Sequence, residues 1–120
     1  MSSSRPLEAN DRALLDALLA QDFDGAAALR QQLRTATATP GCTCGCGTLN
    51  LFVSAQAPLS TAAHLTPAEG TVWDEAGEAV GGLLLFVEGG RLSSLEVYSY
   101  LEPLPLPALD RVTFNVKNET

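Results

Sequence analysis

The amino-acid sequence predicts an α+β fold, in which an N-terminal helical hairpin packs on a mainly antiparallel sheet of about five strands. Three observations predict it: helical spacing of leucines within 6–34, alternation of apolar and polar residues within 35–117, and glycine turns between the alternating stretches. A chain of 120 residues, 46% of them hydrophobic, is long enough to bury a core as a single domain, 1–120. We expect flexible polar tails at 1–5 and 118–120.

The helical hairpin is predicted from two short apolar periods that a polar turn separates. The first period starts at Pro6, which the first turn of a helix tolerates, and it places these leucines on one face: Leu7, Leu14, Leu15, Leu18 and Leu19. Asp24 is positioned to cap a second helix, on which Ala26, Leu29 and Leu33 share a face. Two such helices joined by a tight loop form an αα-hairpin.

The strands are predicted from period-two alternation and from the residues that interrupt it. The stretch 48–54, TLNLFVS, reads as a half-buried strand, and 111–117, RVTFNVK, as a last strand. Residues 55–70 contain small side chains and two prolines without a sustained period, which indicates a long loop. The three prolines in 102–107 exclude a central strand there.

A β-hairpin around Gly89 and Gly90 is the sharpest local prediction. The two glycines supply the positive φ angles of a two-residue turn, which brings Glu88 opposite Arg91. Counting outward from this turn, strict alternation assigns one face to Leu83, Leu85, Val87, Leu92, Ser94, Glu96, Tyr98 and Tyr100. It assigns the other face to Leu84, Phe86, Leu95 and Val97. We expect this second, apolar face to meet the helices.

The mixed face of the hairpin is the candidate surface for a partner. Glu96, Tyr98 and Tyr100 follow one another on it, and Trp73 comes from a neighbouring predicted strand. A carboxylate on a sheet face is either exposed to water or hydrogen-bonded. Two interpretations therefore remain: a solvated face, or a surface that binds a ligand or protein through these four side chains.

The charge balance restricts the class of partner. The formal net charge is −7, and the basic residues are six arginines and the single Lys117. Nucleic-acid binding and binding to anionic membranes both depend on many basic contacts, so we expect neither. The balance favours a basic protein partner, or a surface that is merely soluble. Because no apolar run is long enough to span a bilayer and no secretory signal is visible, we expect a cytoplasmic protein.

All three cysteines lie at alternate positions in GCTCGCG. Cys42, Cys44 and Cys46, with the only histidine, His64, would complete one Cys3His zinc site. Sulfurs bound to one zinc ion lie roughly 3.8 Å apart, whereas alternate residues on a flat strand are about 6.6 Å apart. Either the glycines curl the chain so that the thiolates converge, or the cysteines fill the inner face of a strand as small apolar residues.

The hairpin GGLLLFVEGGRLSSLEVYSY, the EPLPLP after it and the CTCGCG before it resemble a group of small uncharacterised bacterial proteins. Those proteins have a short helical N-terminus, a C-x-C-x-C element and a C-terminal hairpin of the form L-L-F-V-x-x-G-R-L-S-x-L-E-V-Y-S-Y. The resemblance covers most of the chain and implies an α+β domain without an established activity. The chain departs from the pattern at Gly47, where relatives would carry proline. Some broadly similar hairpin proteins look like immunity factors of toxin systems.

No catalytic set is recognisable in the sequence. No second carboxylate accompanies Glu96 at a readable spacing, and the glycines of 41–47 do not form a phosphate-binding loop. The leading hypothesis is a non-enzymatic protein-binding module without a cofactor, similar to an immunity protein. The alternative is a zinc-binding protein that uses the Cys3His set.

Overall fold

In the computed structural model, which describes residues 4–41, 47–62, 65–100 and 102–116, the chain forms two helices and seven strands. The helices are α1 (Ala9–Leu19) and α2 (Ala26–Leu33). The strands are β1 (Arg5–Pro6), β2 (Thr37–Pro40), β3 (Leu49–Phe52), β4 (Ala68–Trp73), β5 (Ala79–Glu88), β6 (Arg91–Ser99) and β7 (Val112–Val116). None of the helices in the described part of the chain has the length and apolarity that crossing a membrane requires.

The strands form one antiparallel sheet in the order β1-β2-β3-β6-β5-β4-β7. The α+β class and the mainly antiparallel sheet are confirmed, but the described sheet has seven strands rather than about five. One strand that the sequence did not predict is β1, which pairs with β2 through Arg5 and Ala38. The chain therefore enters the sheet before it enters the first helix.

The first helix begins at Ala9 rather than at Pro6, and a buried carboxylate marks its start. Asp11 accepts a hydrogen bond from the Glu8 backbone N–H at 2.9 Å, which satisfies a free amide of the first turn. It also accepts a hydrogen bond from Nη1 of Arg5 at 2.8 Å, which ties β1 to the helix. This hydrogen bond raises the pKa of the Arg5 guanidinium above its usual value.

The second helix is capped by Gly25, not by Asp24. Gly25 has a left-handed backbone with a φ of 90°, which glycine adopts without strain. The Ser60 hydroxyl donates a hydrogen bond to the Gly25 carbonyl at 2.8 Å. The loop that precedes β4 is thereby fastened to the start of α2.

An arginine on each helix contacts the C-terminal end of the other helix. Nε of Arg30 donates to the Leu19 carbonyl at 2.6 Å, and its Nη2 to the Gln21 carbonyl at 3.4 Å. In return, Nη1 of Arg12 donates to the Leu33 carbonyl at 3.3 Å. The last carbonyls of a helix lack partners within it and carry partial negative charge, so both contacts stabilise the antiparallel hairpin.

The core lies between the helical hairpin and one face of the sheet, which we call the inner face. The second helix contacts β6, and the first contacts β4 and β7. The helices contribute Leu14, Leu15, Leu18, Leu19, Leu29 and Leu33. The sheet contributes Ala38, Leu49, Leu51, Ala68, Val72, Leu83, Leu85, Val87, Leu92, Leu95, Val97 and Val112. The predicted face of Leu14, Leu15, Leu18 and Leu19 is confirmed, but Leu7 precedes α1 and is only partly buried. The alternation of Leu49 and Leu51 with polar or exposed residues in β3 is confirmed.

The turn of the β5–β6 hairpin has the predicted geometry. Gly89 and Gly90 have φ angles of 60° and 79°, and Glu88 lies opposite Arg91. The positive φ angles are those that a tight two-residue hairpin turn requires.

Beyond this turn the predicted register is wrong, because β6 contains a β-bulge. Phe86 pairs with Ser94 and Val87 with Leu92, so Ser93 is an extra residue in β6. From the bulge onward, Leu85 and Leu83 pair with Leu95 and Val97, where strict alternation predicted Ser94 and Glu96.

The bulge decides which side chains of the hairpin meet the helices. Leu95 and Val97 lie on the inner face as predicted, but Leu84 and Phe86 lie on the opposite face. Their places are taken by a buried set: Leu83, Leu85 and Val87. Two serines separate Leu92 from Leu95, so both leucines can point inward only if one serine is left out of the alternation.

A buried glutamine joins three parts of the molecule. Gln32 on α2 is fully buried, and its Nε2 donates to the carbonyls of Pro58 and Gly90, each at 2.8 Å. Its Oε1 accepts a hydrogen bond from the Leu92 backbone N–H at 2.9 Å. The helix, the loop before β4 and the hairpin turn are thus held together without an unsatisfied amide.

The proline-rich segment between β6 and β7 crosses one end of the inner face. Leu104 and Leu106 pack against the core, and the described residues 102–108 form no strand, as predicted. The Gly47 backbone N–H donates to the Leu104 carbonyl at 2.8 Å, and Nδ2 of Asn10 donates to the Pro107 carbonyl at 2.9 Å. The segment is therefore held both to the chain just before β3 and to α1.

Candidate functional site

The second face of the sheet, which we call the outer face, carries no helix in the described part of the chain. Its side chains alternate with those of the core along each strand. They are Thr37, Thr39, Asn50, Phe52, Glu69, Thr71, Trp73, Leu84, Phe86, Glu88, Arg91, Ser94, Glu96, Tyr98, Thr113 and Asn115. The face mixes aromatic, aliphatic and polar side chains, whereas the inner face is almost wholly aliphatic.

An apolar side chain lies between two carboxylates at the centre of the outer face. Leu84 on β5 pairs with Glu69 on β4 and with Glu96 on β6. Leu84 is half-buried and Glu96 is exposed. Directly paired side chains of neighbouring strands are in contact distance of one another. Glu69, Leu84 and Glu96 therefore form a continuous row across three strands.

Two tyrosines lie beside this row, toward the C-terminal end of β6. The Tyr98 ring lies over Gly82, where a Cβ atom would overlap it, and the side chain is still 42% exposed. Tyr100 follows the strand and is 61% exposed, and the centroids of the two rings are 6.1 Å apart. Tilted aromatic rings at this separation attract one another weakly.

Trp73 lies on the same face but apart from the tyrosines. It belongs to β4, which β5 separates from β6, and its Nε1–H donates to Oγ1 of Thr113 at 2.9 Å. The structure thus brings Glu96, Tyr98 and Tyr100 together, as the sequence predicted. It places the indole at the β4–β7 edge of the outer face.

Sequence reasoning missed Glu69, Leu84 and Phe86 as residues of this face. The leucine and phenylalanine were missed because of the bulge in β6. The glutamate was missed because 55–70 was interpreted as a loop, whereas β4 begins at Ala68. Alternation of small or apolar residues with polar ones over AEGTV was the signal that could have shown the earlier start.

Most of the arginines are used in contacts within the chain. Arg12 and Arg30 bind helix carbonyls, Arg5 is paired with Asp11, and Nη2 of Arg111 lies 3.3 Å from Oε1 of Glu75. On the outer face the described charged residues are three glutamates, Glu69, Glu88 and Glu96, and one arginine, Arg91. That arginine lies opposite Glu88 at the hairpin turn, so the described charged residues at the centre of the face are Glu69 and Glu96.

The predicted zinc ligands lie outside the described residues. Within the part of the chain that the structure describes, no group of three or more His, Cys, Asp or Glu side chains could hold a metal ion. The zinc site of Cys42, Cys44, Cys46 and His64 stays a prediction. Zinc content of the reduced protein tests it: about one equivalent is expected if the site forms, and a folded, zinc-free protein contradicts it.

Comparison of the chain with models of protein families, with curated proteins and with solved structures gives no match. The geometry and the charge of the outer face are therefore the observations that bear on function. The resemblance of the hairpin to small bacterial proteins stays a prediction.

Proposed function

We propose that this protein is a non-enzymatic binding module that uses the outer face of its sheet to bind a basic protein. The row of Glu69, Leu84 and Glu96, with Tyr98 exposed beside it, is the observation that carries the proposal. Specific interfaces combine a desolvated apolar or aromatic centre with polar groups that set orientation. The row offers both on a surface that the two helices leave open.

Charge supports a basic rather than an acidic partner. The chain has a net charge of −7, and the described outer face has carboxylates at its centre. A positive patch on the partner would be steered toward this face during diffusional encounter. Long-range steering is screened by salt, so association should slow as the ionic strength rises.

The sheet itself supports a rigid binding surface. The outer face is carried by strands whose other side is packed against the helices, so its backbone has little freedom to rearrange on binding. Rigid, acidic surfaces are suited to blocking a basic protein stoichiometrically, as an immunity protein does. We propose this mode of action for the protein.

A capture experiment with matched variants tests the proposal. Tagged protein is incubated with a lysate of its source cells, and the bound proteins are quantified for the unmodified chain, Glu96→Gln, Tyr98→Ala and Asp16→Asn. Asp16 is an exposed acid on α1, so its variant loses the same charge from the helical side. We expect a stoichiometric basic partner that the two outer-face variants lose by at least tenfold and Asp16→Asn retains.

The opposite pattern would contradict the proposal. Absence of any stoichiometric partner argues against a binding module. Equal loss in Glu96→Gln and Asp16→Asn would show that net charge, rather than the outer face, governs binding.

A further inference from the structure

A cleft of about 670 Å³ opens at the end of the sheet beyond Tyr98. Its described lining residues are Asp74, Glu78, Ala79, Val80, Tyr100, Glu102 and Leu104. One wall is the turn between β4 and β5, and the other is the chain that leaves β6. The volume lies within the range of clefts that bind small molecules.

The turn that forms one wall of the cleft is fixed by its own hydrogen bonds. Oδ1 of Asp74 accepts hydrogen bonds from the backbone N–H groups of Ala76 and Glu78, each at 2.9 Å. Gly77 adopts a φ of 82°, a left-handed conformation that glycine takes without strain. This wall is therefore organised before any ligand binds.

The second wall is held against β5 and the inner face. The Tyr100 backbone N–H donates to the Val80 carbonyl at 3.1 Å, and the Ser99 hydroxyl donates to the Glu102 carbonyl. The Leu104 side chain lies against Gly81. Tyr100 and Glu102 are thus each held to a neighbouring residue by a hydrogen bond of the backbone.

The lining combines three kinds of chemistry. Ala79, Val80 and Leu104 give it apolar surface, and Tyr100 adds a largely exposed aromatic ring. Asp74, Glu78 and Glu102 supply carboxylates, and none of the described lining residues is basic. A ligand that fits must carry an apolar stem and a positive charge.

A compact metal ion does not fit this arrangement. Asp74, Glu78 and Glu102 do not form a group that could hold a metal, since the described residues contain no such group. Their carboxylates are instead distributed around apolar and aromatic surface. An elongated organic cation can contact both kinds of surface at once.

We propose that the cleft receives an arginine side chain of the basic partner. The aliphatic stem of the arginine would lie on Ala79, Val80 and Leu104, and its planar guanidinium would stack on Tyr100 and bind the carboxylates of Glu78 and Glu102. This inference rests on the proposed function and names its anchor point. The cleft adjoins the outer face through Tyr100, whose ring neighbours that of Tyr98.

The experiment uses a small probe that needs no partner. Nα-acetylarginine amide is titrated into the full chain and followed by NMR of the backbone amides, with Nα-acetylcitrulline amide as the uncharged analogue of the same shape. We expect saturable shifts at Glu78, Val80 and Tyr100, with the arginine probe bound at least threefold more tightly than the citrulline probe.

Matched variants locate the binding. Glu78→Gln with Glu102→Gln should weaken the arginine probe about tenfold, and Tyr100→Leu about threefold. Asp16→Asn removes one exposed carboxylate on α1, away from the cleft and the outer face, and should leave the affinity unchanged. These side chains are exposed, so the variants should remain folded, and unchanged amide spectra outside the cleft confirm it.

Several outcomes would overturn the inference: equal affinity for the two probes, shifts that map outside the cleft, or a loss in Asp16→Asn equal to that in the double variant. The proposed function can fail separately. A protein that binds the arginine probe in the cleft but no basic protein would contradict the function alone. A basic partner lost with Glu96→Gln but unaffected by Glu78→Gln and Glu102→Gln would contradict the anchor alone.

Discussion

The two faces of the sheet are formed by the same strands but differ in composition and in exposure. On the inner face, Leu83, Leu85 and Leu95 are completely buried beneath the helices. The only buried polar side chains of the described residues, Asp11 and Gln32, have hydrogen-bond partners. On the outer face, apolar and charged side chains lie beside one another and remain partly exposed.

Under the proposed function, this difference separates stability from recognition. Burial of apolar surface against the helices supplies most of the driving force for folding. Each inward-facing apolar side chain therefore contributes to the free energy of unfolding. The outer positions contribute little to burial, so their side chains can be selected for a partner. Substitutions that exchange or remove side chains on each face test how complete this separation is.

The largest expected effect comes from shortening β6 by one residue. Deleting Glu96 turns Val97 outward and Tyr98 inward, and should cost more than about 4 kcal/mol of unfolding free energy. Deleting Ser93 removes only the bulge and keeps Leu92, Leu95 and Val97 inward, so it should cost less than about 1 kcal/mol. Urea unfolding followed by circular dichroism measures both. Equal damage by the two deletions would contradict the assignment of the faces.

Adjacent leucines on β5 give the most direct comparison of the faces. Leu85→Ala should lower the free energy of unfolding by about 3 kcal/mol, because the helices leave a cavity over a fully buried site. Leu84→Ala on the outer face should cost less than about 1 kcal/mol, since that side chain is only half-buried. Similar losses for both leucines in urea unfolding would show that something covers the outer face.

Substitution of the buried Gln32 tests whether the backbone groups around it need a hydrogen-bond partner. Gln32→Leu removes the hydrogen bonds that this side chain makes with the Leu92 N–H and the Pro58 carbonyl, and should cost about 2 kcal/mol. The Gly90 carbonyl loses one of two hydrogen bonds, since the Ser60 N–H also donates to it at 2.8 Å. Gln31→Leu, on the exposed side of the same helix, is the control and should change stability little. Thermal unfolding compares the two variants. A stable Gln32→Leu protein would mean that the hairpin turn does not depend on this side chain.

The crossed arginine contacts of the helical hairpin should have a smaller effect. Arg30→Met keeps the aliphatic stem but removes the donors to Leu19 and Gln21, at an expected cost of about 1 kcal/mol. The control is Arg34→Met, an exposed site whose side chain makes no hydrogen bond within the described residues. Denaturant midpoints are measured in low and in high salt, and the midpoint of Arg30→Met should be the lower of the two. Identical midpoints would contradict a stabilising role for the Arg30 contacts.

The smallest effect on folding is expected at the centre of the outer face. Glu96→Gln should change the free energy of unfolding by less than about 0.5 kcal/mol, because the side chain is exposed. The same variant is expected to lose the basic partner. A large loss of stability would instead show that this carboxylate belongs to the structural framework.

Helices, turns and fold class could be predicted because their signals are local. The leucine period of α1, the glycine pair before β6 and the alternation of β3 each depend on a few neighbouring residues. The start of α1 was misplaced because Pro6 is compatible with both a helix and an edge strand. Pro6 belongs to β1 because β1 pairs with β2, which follows both helices in the sequence.

The candidate site was predicted in part for the same reason. Glu96, Tyr98 and Tyr100 share one strand and its continuation, so counting placed them together. The run LLLFV on β5 is apolar on both sides, and it therefore gives no indication of which residues point inward. The cleft between the β4–β5 turn and the chain after β6 joins segments that no local pattern connects.

By itself the sequence determined that this acidic chain forms a helical hairpin and an antiparallel sheet, and that Glu96 and Tyr98 lie on the side of β6 away from Leu95. Tertiary structure alone decided that Leu84 and Phe86 face outward and that Glu69 joins Glu96 across β5. The physical reason is that alternation fixes only relative positions along one strand. The bulge at Ser93 and the packing of the helices on Leu83 and Leu85 select which side becomes the core.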